Sequence, residues 1–173
     1  MEEVKFIIKT VMEKEDYRKF LYTATFRRNK MIIPLILLIS LVGGIFISFS
    51  LESFNIFTIL ISWVLLFILA VAVICFKVEH RNKVRIKTDN TGTFGSVNIL
   101  TFYEDKIVME NESIKSKSEM KYIQFYEILE SKDYFIFYLT ANQASLIRKK
   151  DVEEPESFKE FLKGIFKDKY KCI

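Results

Sequence analysis

The chain has 173 residues, half of them apolar, a mean hydropathy of +0.17 and a net charge of +4. A charge this modest argues against nucleic-acid binding, which calls for a stronger basic bias with exposed aromatic platforms. Two cysteines and a single histidine supply neither a disulfide framework nor a metal-ligand set of recognisable spacing, and no cofactor is expected.

Residues 1–29 open the chain. Val4 to Ile8 reads as a short strand, and Thr10 with Glu13 has the capping-box spacing that starts a helix. Tyr17, Phe20, Leu21 and Ala24 share one face of that helix, with Arg18, Lys19, Arg27 and Arg28 elsewhere. Such a helix lies along a membrane surface or packs on the soluble part of the protein. Its basic residues suit anionic lipid, each adding about 1 kcal/mol near a surface, or serve only as a solvated face and a topology signal.

Two charge-free apolar stretches follow. Met31 to Leu51 lies between Lys30 and Glu52, and Ser53 to Phe76 between Glu52 and Lys77. A helix needs about twenty residues to cross roughly 30 Å of hydrocarbon, and neither stretch has the polar face of a soluble core helix. Residues 30–52 and 53–76 are therefore expected to form a transmembrane hairpin. Basic residues stay on the cytoplasmic side: Arg27, Arg28 and Lys30 precede the first span, Lys77, Arg81, Lys83, Arg85 and Lys87 follow the second, and Glu52 is alone between them. Both termini are expected in the cytoplasm. The polar N-terminal segment and the length of the first apolar run argue against a cleaved signal peptide. In that reducing compartment Cys75 and Cys172 are expected to be free thiols.

Ser40, Gly44 and Ser48 recur at every fourth position of the first span, with Gly43 beside them. Small residues on one helical face let backbones approach closely, either between the two spans or in a homodimer. Trp63, deep in the second span, needs a partner for its N–H from the other helix or another subunit. Neither span carries an ionisable residue, so no proton relay or ion path is indicated.

A basic juxtamembrane segment, residues 77–94, ends in the turn chemistry of Asp89-Asn90-Thr91-Gly92. Residues 95–173 then hold strand candidates at Val97 to Tyr103, Ile107 to Glu110, Ile114 to Met120, Tyr122 to Leu129, Tyr134 to Thr140 and Ala144 to Arg148. Short links favour an antiparallel meander. Pro155 opens a final helix whose Phe158, Phe161, Leu162, Ile165 and Phe166 recur at helical spacing and are expected to plug the sheet. The predicted fold class is an α+β membrane protein, a two-helix hairpin with a bent β-meander closed by a C-terminal helix.

The order and spacing of several segments resemble the YcxB-like family of bacterial membrane proteins. They are Glu15-Asp16-Tyr17-Arg18-Lys19-Phe20 before the spans, Thr101-Phe102-Tyr103-Glu104-Asp105, the run from Tyr122 to Ser131, the run from Asp133 to Leu139, and Leu146-Ile147-Arg148-Lys149-Lys150. The resemblance implies a pleckstrin-homology-like barrel over approximately Val84 to Tyr170 and a place in the bacterial cell membrane. It brings no settled activity and no catalytic residues. Arg148 departs from the Ile-Pro-Lys pattern expected there, and gives the last strand a positive edge.

A direct search for chemistry is negative. His80 stands among Lys77, Glu79 and Arg81 without partners for metal or base work, Gly92 and Gly95 lack the flanking pattern of a phosphate loop, and Glu104-Asp105 and Glu153-Glu154 fall in turns. What is left is a surface. Lys115, Lys117 and Lys121 on one strand, and Arg148, Lys149 and Lys150 at the end of another, are candidates for one anion-attracting face, against the alternative that they only keep the sheet soluble. The expectation is a non-enzymatic membrane protein whose cytosolic module meets a protein partner or anionic lipid headgroups. The alternative is an accessory or immunity component of a peptide-export or envelope-stress complex, and an enzyme comes third.

Overall fold

A computed structural model describes residues 3–50, 55–90, 92–111 and 113–173. In chain order the elements are β1 (Phe6–Val11), α1 (Lys14–Tyr22), α2 (Ile32–Ser50), α3 (Ile56–Lys87), β2 (Val97–Phe102), β3 (Lys106–Asn111), β4 (Ser116–Lys121), β5 (Glu127–Glu130), β6 (Tyr134–Tyr138), β7 (Ala144–Arg148), α4 (Pro155–Phe166) and β8 (Tyr170–Cys172). The chain divides into two compact units: Met1–Lys14 with Asp89–Ile173, and Glu15–Thr88.

The first unit is built on two four-stranded sheets, ordered β1-β2-β3-β4 and β7-β6-β5-β8. Every pairing is antiparallel except that of β8 with β5. Alternation sets which side chains turn inward. On β6, Phe135 and Phe137 enter the core while Tyr134, Ile136 and Tyr138 turn the other way, and all five are buried. The core gathers Ile8, Leu100, Phe102, Ile107, Phe125, Ile128 and Ile147 from the strands with Phe158, Leu162 and Phe166 from α4. Phe158 is its aromatic hub, with ring centroids 4.9 Å from Phe102 and 5.2 Å from both Phe6 and Phe135. Edge-to-face pairs of this kind add about 0.5–1.5 kcal/mol each beyond the area they bury.

The helical unit occupies the connection between β1 and β2, which are hydrogen-bonded neighbours. The Gly95 N–H donates to the Met12 carbonyl at 3.0 Å, so both ends of the insertion leave from one point of the strand pair. Gly95 itself has φ +82, a left-handed conformation open to glycine without steric cost. The expectation of a helix capped by Thr10 and Glu13 is corrected here. Thr10 lies within β1 with its hydroxyl donating to Asp151 at 2.6 Å, and Glu13 accepts from Arg148. The N-terminal strand runs longer than Val4 to Ile8 because its partner on β2 carries the ladder to Val11.

Two further expectations are corrected, and one strand is new. The Tyr122 to Leu129 strand is a single 3-10 turn, Tyr122–Gln124, followed by β5, because Gln124 reaches back to accept the Lys121 N–H at 2.8 Å and folds the chain. Ile114 and Lys115 lie in the turn before β4 rather than on it; the Asn111 side chain accepts the N–H groups of Ser113 and Ile114 and closes that turn. β8 was not expected at all. Three residues are too few to show a period, and their pairing is held from outside the segment, by Glu130.

In the helical unit α1 passes directly into a π-helical turn, Thr23–Arg28. Pro34 is tolerated because it sits in the first turn of α2, before an N–H is needed. Both α2 and α3 are long and apolar enough to cross a membrane. Asn55 caps α3 by accepting the Phe57 N–H, and the helix continues past Phe76 through the basic segment to Lys87. Glu52 and Ser53 lie outside the described residues.

Candidate functional site

Within the hairpin, the small-residue stripe faces α3. Ser40, Gly44 and Ser48 are buried, and a Cβ on Gly44 would stand 3.0 Å from the Trp63 nitrogen and 3.1 Å from the Ile59 oxygen. Both are backbone atoms that cannot swing aside. The Trp63 Nε1–H donates to the Leu37 carbonyl at 3.1 Å, so the indole finds its partner on the other helix. The stripe is used inside one chain.

At the base of the hairpin α1 lies against α3 through one carboxylate. Glu79 accepts from Arg18 Nε at 2.7 Å and from the Tyr22 hydroxyl at 2.8 Å. Outside this contact, Arg27, Lys30, Lys77, Arg81 and His80 are exposed.

In the β unit the two basic sets are differently placed. β4 is the outer strand of its sheet, at the opposite edge from β1, so three strand spacings, roughly 14 Å, separate the two edges. Lys115 occupies a turn with φ +47, Lys117 pairs with Glu110 at 2.7 Å, and Lys121 ends the strand exposed. Lysines on an outer strand also discourage edge-to-edge pairing, because a neighbouring strand would have to desolvate them. The second set stands beside β1. Arg148 has an 11% exposed side chain and donates to Asp151 at 2.7 Å and to Glu13 at 2.8 Å, while Asp151 also accepts from Thr10. In place of the expected proline, Arg148 ties the end of β7 to the end of β1 next to the helical insertion. Lys149 is taken up by Glu130 and lies 5.1 Å over the Phe135 ring; of this set Lys150 is left exposed. The structure does not bring the six basic residues onto one face.

Glu130 is a residue that periodicity passed over. Its carboxylate, 8% exposed, accepts from Lys149, from the Tyr170 hydroxyl at 2.7 Å and from Cys172 Sγ at 3.3 Å, and it faces Lys159 at 3.6 Å. Burial alone would raise its pKa, but those hydrogen bonds and the Lys149 charge outweigh burial and hold it at about 2. Burial first, then the bond to Glu130, pushes the Tyr170 phenol well above its usual range. The signal in the sequence is a carboxylate directly after the apolar pair Ile128-Leu129 and before Ser131, where an ionised group on a buried strand needs partners from elsewhere in the chain.

A recess in the β unit with a cavity volume of about 10 Å³ is lined by apolar side chains of Leu100, Phe102, Ile107, Met109, Phe125, Phe137 and Ile147, with Ser145 as the polar contribution. It is smaller than the roughly 300–1,000 Å³ of a small-molecule site and lacks converging polar groups.

Taken together, the chain is a mixed α+β protein in which a pair of long apolar helices interrupts the first strand pair of an antiparallel β unit closed by a C-terminal helix. A family model for YcxB-like proteins matches residues 102–163, from the end of β2 through most of α4. No curated protein and no solved structure gives a significant match. The matched residues exclude the hairpin and β1, so the likeness resides in the β unit.

Proposed function

We propose that the protein is a non-enzymatic membrane-anchored interaction module, with the α2–α3 hairpin spanning the bacterial cell membrane, both termini in the cytoplasm, and the β unit presented there to an acidic protein partner. The hairpin reading is supported by its outward side chains. Phe46 is 70% exposed, Phe49 74%, Phe57 69% and Leu69 60%, an apolar surface far larger than a water-soluble protein leaves uncovered. The β unit reads as pleckstrin-homology-like: a four-strand meander and a three-strand meander, β5 to β7, with a C-terminal helix packed into the core between them.

The observation that carries the partner reading is the composition of the β4 edge. Ile114 at 55%, Ile123 at 81% and Tyr126 at 55% exposure flank exposed Lys115 and Lys121. Apolar anchors beside cations form a surface that gains by covering both, and an acidic strand or helix does so. The same combination also suits an anionic membrane surface. A photocrosslinking residue at Ile123 of the full chain, activated in native membranes, tests both. Discrete protein adducts at Ile123, and none from the same probe at Lys163 on α4, support a protein partner. Adducts to lipid alone support the membrane surface, and no adduct, or equal adducts at both positions, would overturn the module reading.

A further inference from the structure

We infer that the base of the hairpin is a binding site for the phosphate of anionic phospholipid headgroups, formed by Arg27, Lys30, Lys77 and Arg81. The inference rests on the hairpin spanning a membrane. It concerns surfaces of the helical unit alone.

α2 and α3 pack antiparallel, with Gly44 against Ile59 and Trp63. Counting back along both helices at about 1.5 Å per residue brings Lys30 level with the turn of α3 that holds Lys77. Independently, Arg18 and Tyr22 of α1 meet Glu79 of α3, which puts the turn containing Arg27 near the same level. Lys77 and Arg81 are one helical turn apart and both exposed. The four cations therefore stand at about one level of the hairpin, where its apolar surface ends.

No ion pair occupies them among the described residues. The carboxylate between Lys77 and Arg81 in the chain, Glu79, is already bound by Arg18 and Tyr22. Next to Lys30 and Lys77 on the apolar side, Met31 and Phe76 are 70% and 73% exposed. Apolar shoulders below exposed cations at one level match the boundary between acyl chain and headgroup, with Arg27 and Arg81 offering forked donors to a phosphate and Lys30 and Lys77 point charges. A positive flank that served only to orient the chain during insertion would not need this geometry.

The test uses the full-length protein in nanodiscs of phosphatidylcholine with a minority of phosphatidylglycerol, and reads by mass spectrometry the lipids retained on detergent exchange. Phosphatidylglycerol should be enriched about fivefold or more over the bulk, the size of one effective cation near a surface. Arg27→Gln, Lys30→Gln, Lys77→Gln and Arg81→Gln together should return the ratio to bulk. Arg27→Lys with Arg81→Lys should retain enrichment, and Lys115→Gln with Lys121→Gln should leave it unchanged. Enrichment that is absent, or that survives the four substitutions, overturns the inference, as does full competition by soluble glycerophosphoglycerol. Flotation of the protein with neutral vesicles separately tests the spanning hairpin, so a protein that floats without enrichment sinks this site and not the anchor.

Discussion

Phe46, Phe49 and Phe57 of the hairpin are 69% to 74% exposed, whereas Phe102, Phe135 and Phe158 of the β unit are fully buried. The same side chain is turned outward in one unit and inward in the other. In the β unit apolar area leaves water on folding, and about 25 cal/mol per Å² follows from it. In the hairpin the outer apolar surface has no such inward partner, and helix pairing rests on close backbone approach at Gly44 and on the Trp63 bond to Leu37. One unit is stabilised by bulk, the other by fit.

The largest effect that separates them should come from phenylalanine truncation. Phe158→Ala should cost about 3–5 kcal/mol through lost transfer energy and a cavity, whereas Phe46→Ala should leave the melting of the lipid-embedded protein nearly unchanged. Phe161, only partly buried, should fall between them. Circular dichroism melts of the full chain in nanodiscs check all three, and equal losses at Phe158 and Phe46 would break the comparison.

The converse change strikes the hairpin. Gly44→Ala should destabilise the helix pair by about 1–3 kcal/mol, since its methyl would press on the backbone of Trp63 and Ile59. Gly43→Ala meets only the flexible end of Leu66 and should cost less. Trp63 emission, which reports the indole bond to Leu37, should shift in the Gly44 variant and stay fixed in the other. The reverse order would mean that the helices pair through another face.

Glu130 gives the β unit an acid limit. Its folded pKa of about 2 lies below an unfolded value of about 4.3. The stabilisation is therefore complete above that unfolded value and is lost as pH falls toward 2. With solvent screening allowed for, about 1–2 kcal/mol is at stake. Stability of the wild-type β unit should fall between pH 4.3 and 2 by that amount more than in Glu130→Gln, as read by hydrogen exchange of the β5 and β6 amides. An identical acid profile in both proteins would show that the Lys149 and Tyr170 contacts do not stabilise the fold. The smallest change should be a gain: Gly164→Ala in α4, where an added methyl meets nothing within 4 Å, should raise stability by about 0.5–1 kcal/mol through helix propensity.

What could be read from the sequence follows from the range of the interaction concerned. Apolar length marked α2 and α3, the helical period marked α4, and strand-like runs marked β2, β3, β6 and β7, because each depends on residues close in the chain. Thr10 and Glu13 misled because a capping box and a strand hydroxyl use the same residue types, and the deciding partners, Asp151 and Arg148, are more than a hundred residues away. Arg148 and Lys149 looked like surface charge because the acids that engage them, Glu13 after β1, Glu130 on β5 and Asp151 after β7, are brought to them by the fold. Gly44 was legible as a small residue, and its close approach to α3 became plain only from the backbone facing it.

Impermeant maleimide labelling tests the central claim most directly. With Cys75 and Cys172 replaced, single cysteines at Glu52, Lys87 and Ser113 are introduced in turn, and intact cells are compared with opened ones. The account predicts that Glu52→Cys reacts in intact cells while Lys87→Cys and Ser113→Cys react only after opening. Labelling of Ser113→Cys from outside, or of Glu52→Cys only from within, would contradict a spanning hairpin with a cytoplasmic β unit.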